Sequence, residues 1–109
     1  KHLIFGFSKT CRFCLESMEF YSQLSSKKEG RENIRFVVVS EQPVAEISNI
    51  FNANNIKVDQ YVQAGLAGLN INATPTLVLV GSDGSVQGKW VGRLRPEAEA
   101  ELFAALFGG

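Results

Sequence analysis

The order of periodicities along the 109 residues predicts an α/β fold, with a central mixed β-sheet flanked by helices on both faces. Short, β-branched apolar runs alternate with segments whose apolar residues recur every three or four positions. The opening strand–helix–strand order implies a right-handed crossover and so a parallel pair. Towards the C-terminus, two apolar runs flank Ser82-Asp83-Gly84-Ser85, turn chemistry that joins antiparallel neighbours.

The first strand is predicted over His2 to Phe7, followed by the loop Ser8-Lys9-Thr10 and a helix from about Cys11 to Ser26. Leu15, Met18, Tyr21 and Leu24 give that helix one apolar face. The polar connector Lys27 to Asn33 ends it, and Ile34 to Ser40 is apolar and β-branched, as an interior strand requires. Pro43 opens a second helix with Val44, Ile47, Ile50 and Phe51 on one face, closed by Asn54-Asn55. Between residues 56 and 73 the signals are weakest: Val58 to Val62 suits a short edge strand, and Ala64 to Leu69 a brief helical turn. Thr76 to Val80 and Val86 to Val91 are the two arms of the hairpin. Pro96 then starts a last helix, with Glu97 and Glu99 near its positive end and Ala98, Leu102, Ala105 and Leu106 turned inward. No internal repeat or composition break divides the chain, so residues 1–109 read as one domain.

Eleven basic and eleven acidic residues cancel and are scattered, which argues against a nucleic-acid surface. No apolar run approaches the roughly 20 residues of a membrane helix, so no span is expected within this chain. The chain begins at Lys1 rather than Met, which reads as a processed or excised domain and leaves an upstream signal or anchor open.

The only cysteines are Cys11 and Cys14, and one closely spaced pair is a site rather than a disulfide scaffold. They fall where a strand hands over to a helix. Unpaired amides at a helix start favour an anion, so Cys11 is expected to have a lowered pKa and to be the attacking sulfur. Cys14, one turn later, is close enough to close a disulfide. Zinc needs about four ligands, and His2, at the far end of the first strand, is the only histidine. The pair therefore reads as a dithiol–disulfide redox centre needing no metal or other cofactor. Arg12 is either a solvated charge or a cation that stabilises the Cys11 thiolate. Phe13, between the cysteines, is expected to point outward or across the site; facing outward, it would offer a partner an apolar contact.

Three separated features resemble the thioredoxin superfamily: the strand ending in Cys11-Arg12-Phe13-Cys14, the segment Ala73-Thr74-Pro75-Thr76, and the closing hairpin with Asp83-Gly84, Val86 to Gly92 and a final helix. The resemblance covers essentially the whole chain. Within the superfamily it is most similar to the bacterial TlpA/ResA-like extracytoplasmic thiol-disulfide oxidoreductases and related redoxin domains. It implies a thioredoxin-like fold and a cis peptide before Pro75, with Pro75 packed beside the cysteines. It also implies that the Thr74 backbone pairs with an extended substrate segment. Implied partners are protein thiols or disulfides and a redox partner protein. The family's location suggests the bacterial periplasm or cell envelope, with the cytoplasm left open; monomer is the default state.

The departures concern proton handling. Where thioredoxin has Trp before the first cysteine and Gly-Pro between the two, this chain has Thr10 and Arg12-Phe13. Thioredoxin's buried aspartate is replaced by Phe5, and the glutamate that ResA-like proteins carry after the second cysteine is replaced by Ser17, beside Glu16. Solvent and Glu41 are the remaining candidates for proton exchange with Cys14. Two alternatives compete with the oxidoreductase reading. A peroxiredoxin-like peroxidase would use Ser8 before Cys11, but Ile4 stands where its proline belongs. A copper(I)-handling module would use the thiol pair, although no histidine follows Cys14.

Overall fold

The structure is a computed structural model that describes residues 1–108. Its strands are β1 (His2–Gly6), β2 (Arg35–Ser40), β3 (Gln60–Gln63), β4 (Thr76–Val80) and β5 (Val86–Val91). Its helices are α1 (Arg12–Glu16), α2 (Met18–Lys28), α3 (Val44–Ala53) and α4 (Pro96–Phe107), with a 3-10 turn at Ala67–Leu69. The sheet order is β3-β2-β1-β4-β5. β1, β2 and β3 are mutually parallel, while β4 is antiparallel to both β1 and β5. This is the mixed α/β sheet that the periodicities predict.

Alternation along the strands sorts the core into two parts. Leu3, Phe5 and Phe7 share a face with Phe36, Val38, Leu77 and Leu79, and this face meets Tyr21 and Leu24 of α2, Ile47 and Phe51 of α3, and Leu102 and Leu106 of α4. Phe5 is the hub, with ring centroids 4.9 Å from Tyr21, 5.1 Å from Phe36 and 6.2 Å from Phe51, all edge-on. Such pairs add about 0.5–1.5 kcal/mol each beyond area burial. On the opposite face Val39 packs with Leu66 and Ile71. Helices on both faces are thus not what the chain adopts: among the described residues all four helices pack on the first face, α1 through Cys14, and the segment carrying the 3-10 turn covers the other. Gly6 of β1 lies under this second cover; a Cβ there would sit 3.0 Å from Ile71 Cγ2.

The helix predicted as continuous from Cys11 breaks at Ser17. The Ser17 amide bonds back to Cys14 O at 3.2 Å in the tighter three-residue pattern, and its hydroxyl donates to Phe13 O at 2.7 Å. A serine that bonds back to the preceding turn bends a helix, and here it separates α1 from α2. Elsewhere the differences are small. β1 ends at Gly6, and the edge strand β3 lies two residues later than Val58. Val44 is 40% exposed, so α3 rests on Ile47 and Phe51, with Ile50 half-buried beside them. Trp90 and Phe36 are core residues, and the Trp90 indole donates to Glu101 at 3.1 Å, tying α4 to β5.

Candidate functional site

Both cysteines lie beyond the end of β1, at the edge of the sheet where the parallel strands finish. The loop that delivers them is held by side chains from the end of β2. Gln42 Nε2 donates to Ser8 Oγ at 3.1 Å, while Gln42 Oε1 accepts from the Lys9 amide at 3.1 Å and from Ser40 Oγ at 2.8 Å. Lys9 also pairs with Glu46 of α3. Ser8 O accepts the Cys11 amide at 3.2 Å, which turns the chain into α1.

Cys11 occupies the N-cap of α1 in an extended conformation, φ −89°, ψ 115°. Its Sγ accepts the Cys14 amide at 3.2 Å and lies 3.3 Å from Thr74 O, to which the protonated thiol donates. Cys11 is partly exposed, whereas Cys14 is fully buried; both are free thiols. The two sulfurs differ accordingly. For Cys11, burial raises the pKa, but hydrogen bonds from the Cys14 thiol, the Thr74 hydroxyl and the Cys14 and Phe13 amides outweigh it, leaving the pKa below its ordinary value of 9.0. For Cys14, burial dominates; with the hydrogen bond to Cys11 it pushes the pKa up to about 12. One accessible sulfur that ionises readily thus stands beside one buried sulfur that holds its proton.

The Thr74–Pro75 peptide is cis, and Pro75 is buried. Pro75 O accepts the Gly92 amide at 2.7 Å, and Gly92 has φ 84°, a conformation open to glycine at little cost. The segment at Thr74 and the turn at Gly92 are thereby fixed together next to Cys11. A hollow of about 380 Å³ beside them is lined by Phe7, Ser8, Glu41, Gln42, Leu66 and Thr74.

Phe13 faces outward, 54% exposed. Arg12 is largely exposed, and its Nε donates to Glu16 Oε2 at 2.8 Å. Glu16 also accepts from Arg93 Nη1 at 2.7 Å and is held below the usual carboxylate range, mainly by the Arg12 hydrogen bond. Glu41 accepts the Leu66 amide at 3.0 Å and so anchors the second cover of the sheet. Sequence reasoning missed the Thr74 hydroxyl, the Ser8–Gln42 support and the Glu16–Arg93 link. Only Gly92 left a trace, as a lone glycine between the hairpin and the last helix. The others join residues 34 to 77 positions apart, which no local pattern reports.

Solved structures resemble this chain throughout. A secreted Mycobacterium tuberculosis disulfide oxidoreductase, described as homologous to Escherichia coli DsbE, superposes with a TM-score of 0.73 at 16% identity, covering 96% of this chain and 78% of that one. A thiol-disulfide oxidoreductase from Bacteroides fragilis gives 0.74 at 16% identity, over 97% and 80% of the two chains. A thiol-disulfide isomerase from Corynebacterium glutamicum gives 0.75 at 10% identity, over 99% and 80%. No protein-family model matches the sequence, and neither does any curated protein. At these identities the likeness establishes the fold, which is thioredoxin-like.

Proposed function

We propose, from this thioredoxin-like fold, that the chain is a thiol-disulfide oxidoreductase whose Cys11 and Cys14 exchange a dithiol and a disulfide with protein substrates and a redox partner protein. The observation that carries this reading is the asymmetry of the two sulfurs, one partly exposed and readily ionised, the other buried and protonated. In the reducing direction the Cys11 thiolate attacks a substrate disulfide, expelling one substrate thiolate and forming a mixed disulfide. Cys14 then attacks Cys11 Sγ; the Cys11–substrate bond breaks, the second substrate thiolate leaves, and the intrachain disulfide remains. The oxidising direction reverses these steps. The dithiol carries both electrons, so no cofactor enters.

An extended substrate segment would lie along the Thr74–Pro75 turn by strand addition, with Phe13 as an apolar contact on the exposed side. Arg12 belongs to the same surface as a charged contact. The 109 residues act as one domain, monomeric by default. An extracytoplasmic location is supported by the secreted M. tuberculosis neighbour, and no helix among the described residues is long and apolar enough to cross a membrane.

The test is the reduction potential of the pair, measured by equilibration in glutathione buffers and counting of alkylated thiols by mass. A value near −270 mV, about that of thioredoxin, makes the protein a reductant; one near −120 mV makes it a disulfide donor. If no reversible intrachain disulfide forms at any ratio of the buffer, the reading is wrong.

A further inference from the structure

The carboxylates around the cysteine loop are mostly paired. Glu16 is shared by Arg12 and Arg93, and Glu46 is held by Lys9. Glu41, just past the end of β2, is the exception: among the described residues no cation lies within ion-pair distance of it. Its position is nonetheless fixed. Glu41 Oε2 accepts the Leu66 amide at 3.0 Å, and the Glu41 carbonyl accepts from Gln63 Nε2 at 3.2 Å. A carboxylate has room for about four hydrogen bonds, so most of its accepting capacity stays open.

This carboxylate stands at the rim of the hollow of about 380 Å³ beside Thr74, and it is the one charged group in the lining. Burial separates the floor of the hollow from its mouth. Phe7, Leu66 and Ile71 are nearly enclosed and form the floor, whereas Glu41 is exposed. Ser8 and Gln42, also in the lining, are hydrogen-bonded to each other at 3.1 Å and offer less to a guest. The hollow shares a wall with the reactive sulfur. Cys11 Sγ lies 3.3 Å from Thr74 O, and the Cys11 amide donates to Ser8 O at 3.2 Å.

We propose that this hollow is a subsite for a lysine or arginine side chain of the substrate, within two residues of its reacting cysteine. The proposal rests on the oxidoreductase reading and names the substrate class that reading favours, protein disulfides set in basic segments. Shape and charge both match. A long basic side chain lays its apolar stem on apolar surface and keeps its cationic head in water. Here the stem covers Phe7, Leu66 and Ile71, and the head meets Glu41 at the mouth. An acidic side chain is repelled by the same carboxylate, and an apolar one gains the floor alone. In a segment extended along Thr74, side chains alternate in direction at about 3.3 Å per residue, which brings one close to the cysteine over the hollow. Glu41 takes neither proton nor electrons in the exchange; it holds the segment while the Cys11 thiolate attacks.

The test uses short alanine-based peptides whose single cysteine carries thionitrobenzoate as a mixed disulfide. Lys, norleucine or Glu is placed at each of the two positions on either side. The reduced wild-type chain attacks this disulfide, and release of the coloured thiolate gives the second-order rate. Dithiothreitol, which has no subsite and no fixed charge, calibrates each peptide's own reactivity. At low ionic strength the Lys peptide should then react about threefold to fivefold faster than the norleucine peptide at one position at least, the upper range for an exposed ion pair. The Glu peptide should be slower than both, and the Lys advantage should fade with added salt. Glu41→Gln keeps an oxygen for the Leu66 amide but removes the charge, and should bring the Lys-to-norleucine ratio to about one. Each ratio is taken within one protein, so a loss of overall rate in the variant cancels. No Lys advantage at any position, an advantage indifferent to salt, or the same advantage in Glu41→Gln would overturn the subsite. A reduced chain that forms no Cys11–Cys14 disulfide with any peptide would overturn the oxidoreductase reading, whatever the ratios.

Discussion

Alkylation of the reduced chain, resolved by residue, tests the site's electrostatics directly. Cys14 has a pKa near 12 against an ordinary 9.0. At neutral pH its thiolate fraction is therefore roughly a thousandfold below that of an unperturbed cysteine, a penalty of about 4 kcal/mol on the charged form. Most of that arises from burial: Cys14 has no exposed surface, so water cannot solvate its charge. Cys11, partly exposed and hydrogen-bonded by Cys14, Thr74 and two amides, lies on the other side of 9.0. The assay is a pulse of iodoacetamide at pH 6 to 11, with each cysteine's modification read by peptide mass. Cys11 should be labelled with a midpoint below 9. Cys14 should remain at least about a thousandfold slower at pH 7, because shielding from the reagent adds to its low ionisation. Comparable labelling of the two at pH 7, or a Cys11 midpoint above 9, would refute the assignment of attacking and resolving sulfurs.

Replacing Arg12 with Ala should leave the Cys11 midpoint in place, since the guanidinium is engaged by Glu16; a rise, seen in the thiolate absorbance, would mark Arg12 as a thiolate stabiliser. Phe5→Asp should cost more than the about 3–5 kcal/mol of truncating a core phenylalanine, because the carboxyl lands among Tyr21, Phe36 and Phe51. Urea unfolding at pH 7 measures this, and wild-type stability would contradict the packing. Cys14 also makes stability depend on pH. The unfolded thiol ionises near 9 while the folded one keeps its proton to about 12, so its contribution is full below pH 9 and is lost as pH rises towards 12. Urea midpoints should fall across that window, and less steeply in Cys14→Ala. Gly92→Ala should destabilise by about 1 kcal/mol through the positive φ alone, and should loosen the Pro75–Gly92 hydrogen bond.

Local pattern accounts for much of what the chain adopts. The strand cores, the Asp83-Gly84 turn, Pro96 at the first turn of α4 and the placing of Cys11-Arg12-Phe13-Cys14 at a strand-to-helix junction all follow from periodicity, turn chemistry and β-branching. These signals act within a few residues, so they are written in consecutive letters. The break at Ser17 was less legible, because whether a serine bends a helix depends on where its hydroxyl turns. The unequal cover of the sheet was hidden for another reason. Both crossovers, β1 to β2 and β2 to β3, proceed in the same direction, and right-handedness then places α2 and α3 on one face. Strand order, which no local pattern records, decides it.

The site divides in the same way. The sequence by itself singled out the candidate atoms, the sulfurs of Cys11 and Cys14, since these are its only cysteines and lie two residues apart at a strand-to-helix junction. It also placed Phe5 and Ser17 at the positions where the family it resembles carries an acid. The lowered pKa of Cys11 is expected from its place at a helix start; only the tertiary structure decided the burial that raises Cys14 and brought Thr74, 63 residues away, against Cys11. It likewise turned Arg12 towards Glu16 and joined Glu16 to Arg93, 77 residues later. A pKa reports solvent exclusion and the nearest dipoles, and both are properties of the packed chain rather than of its neighbours in sequence.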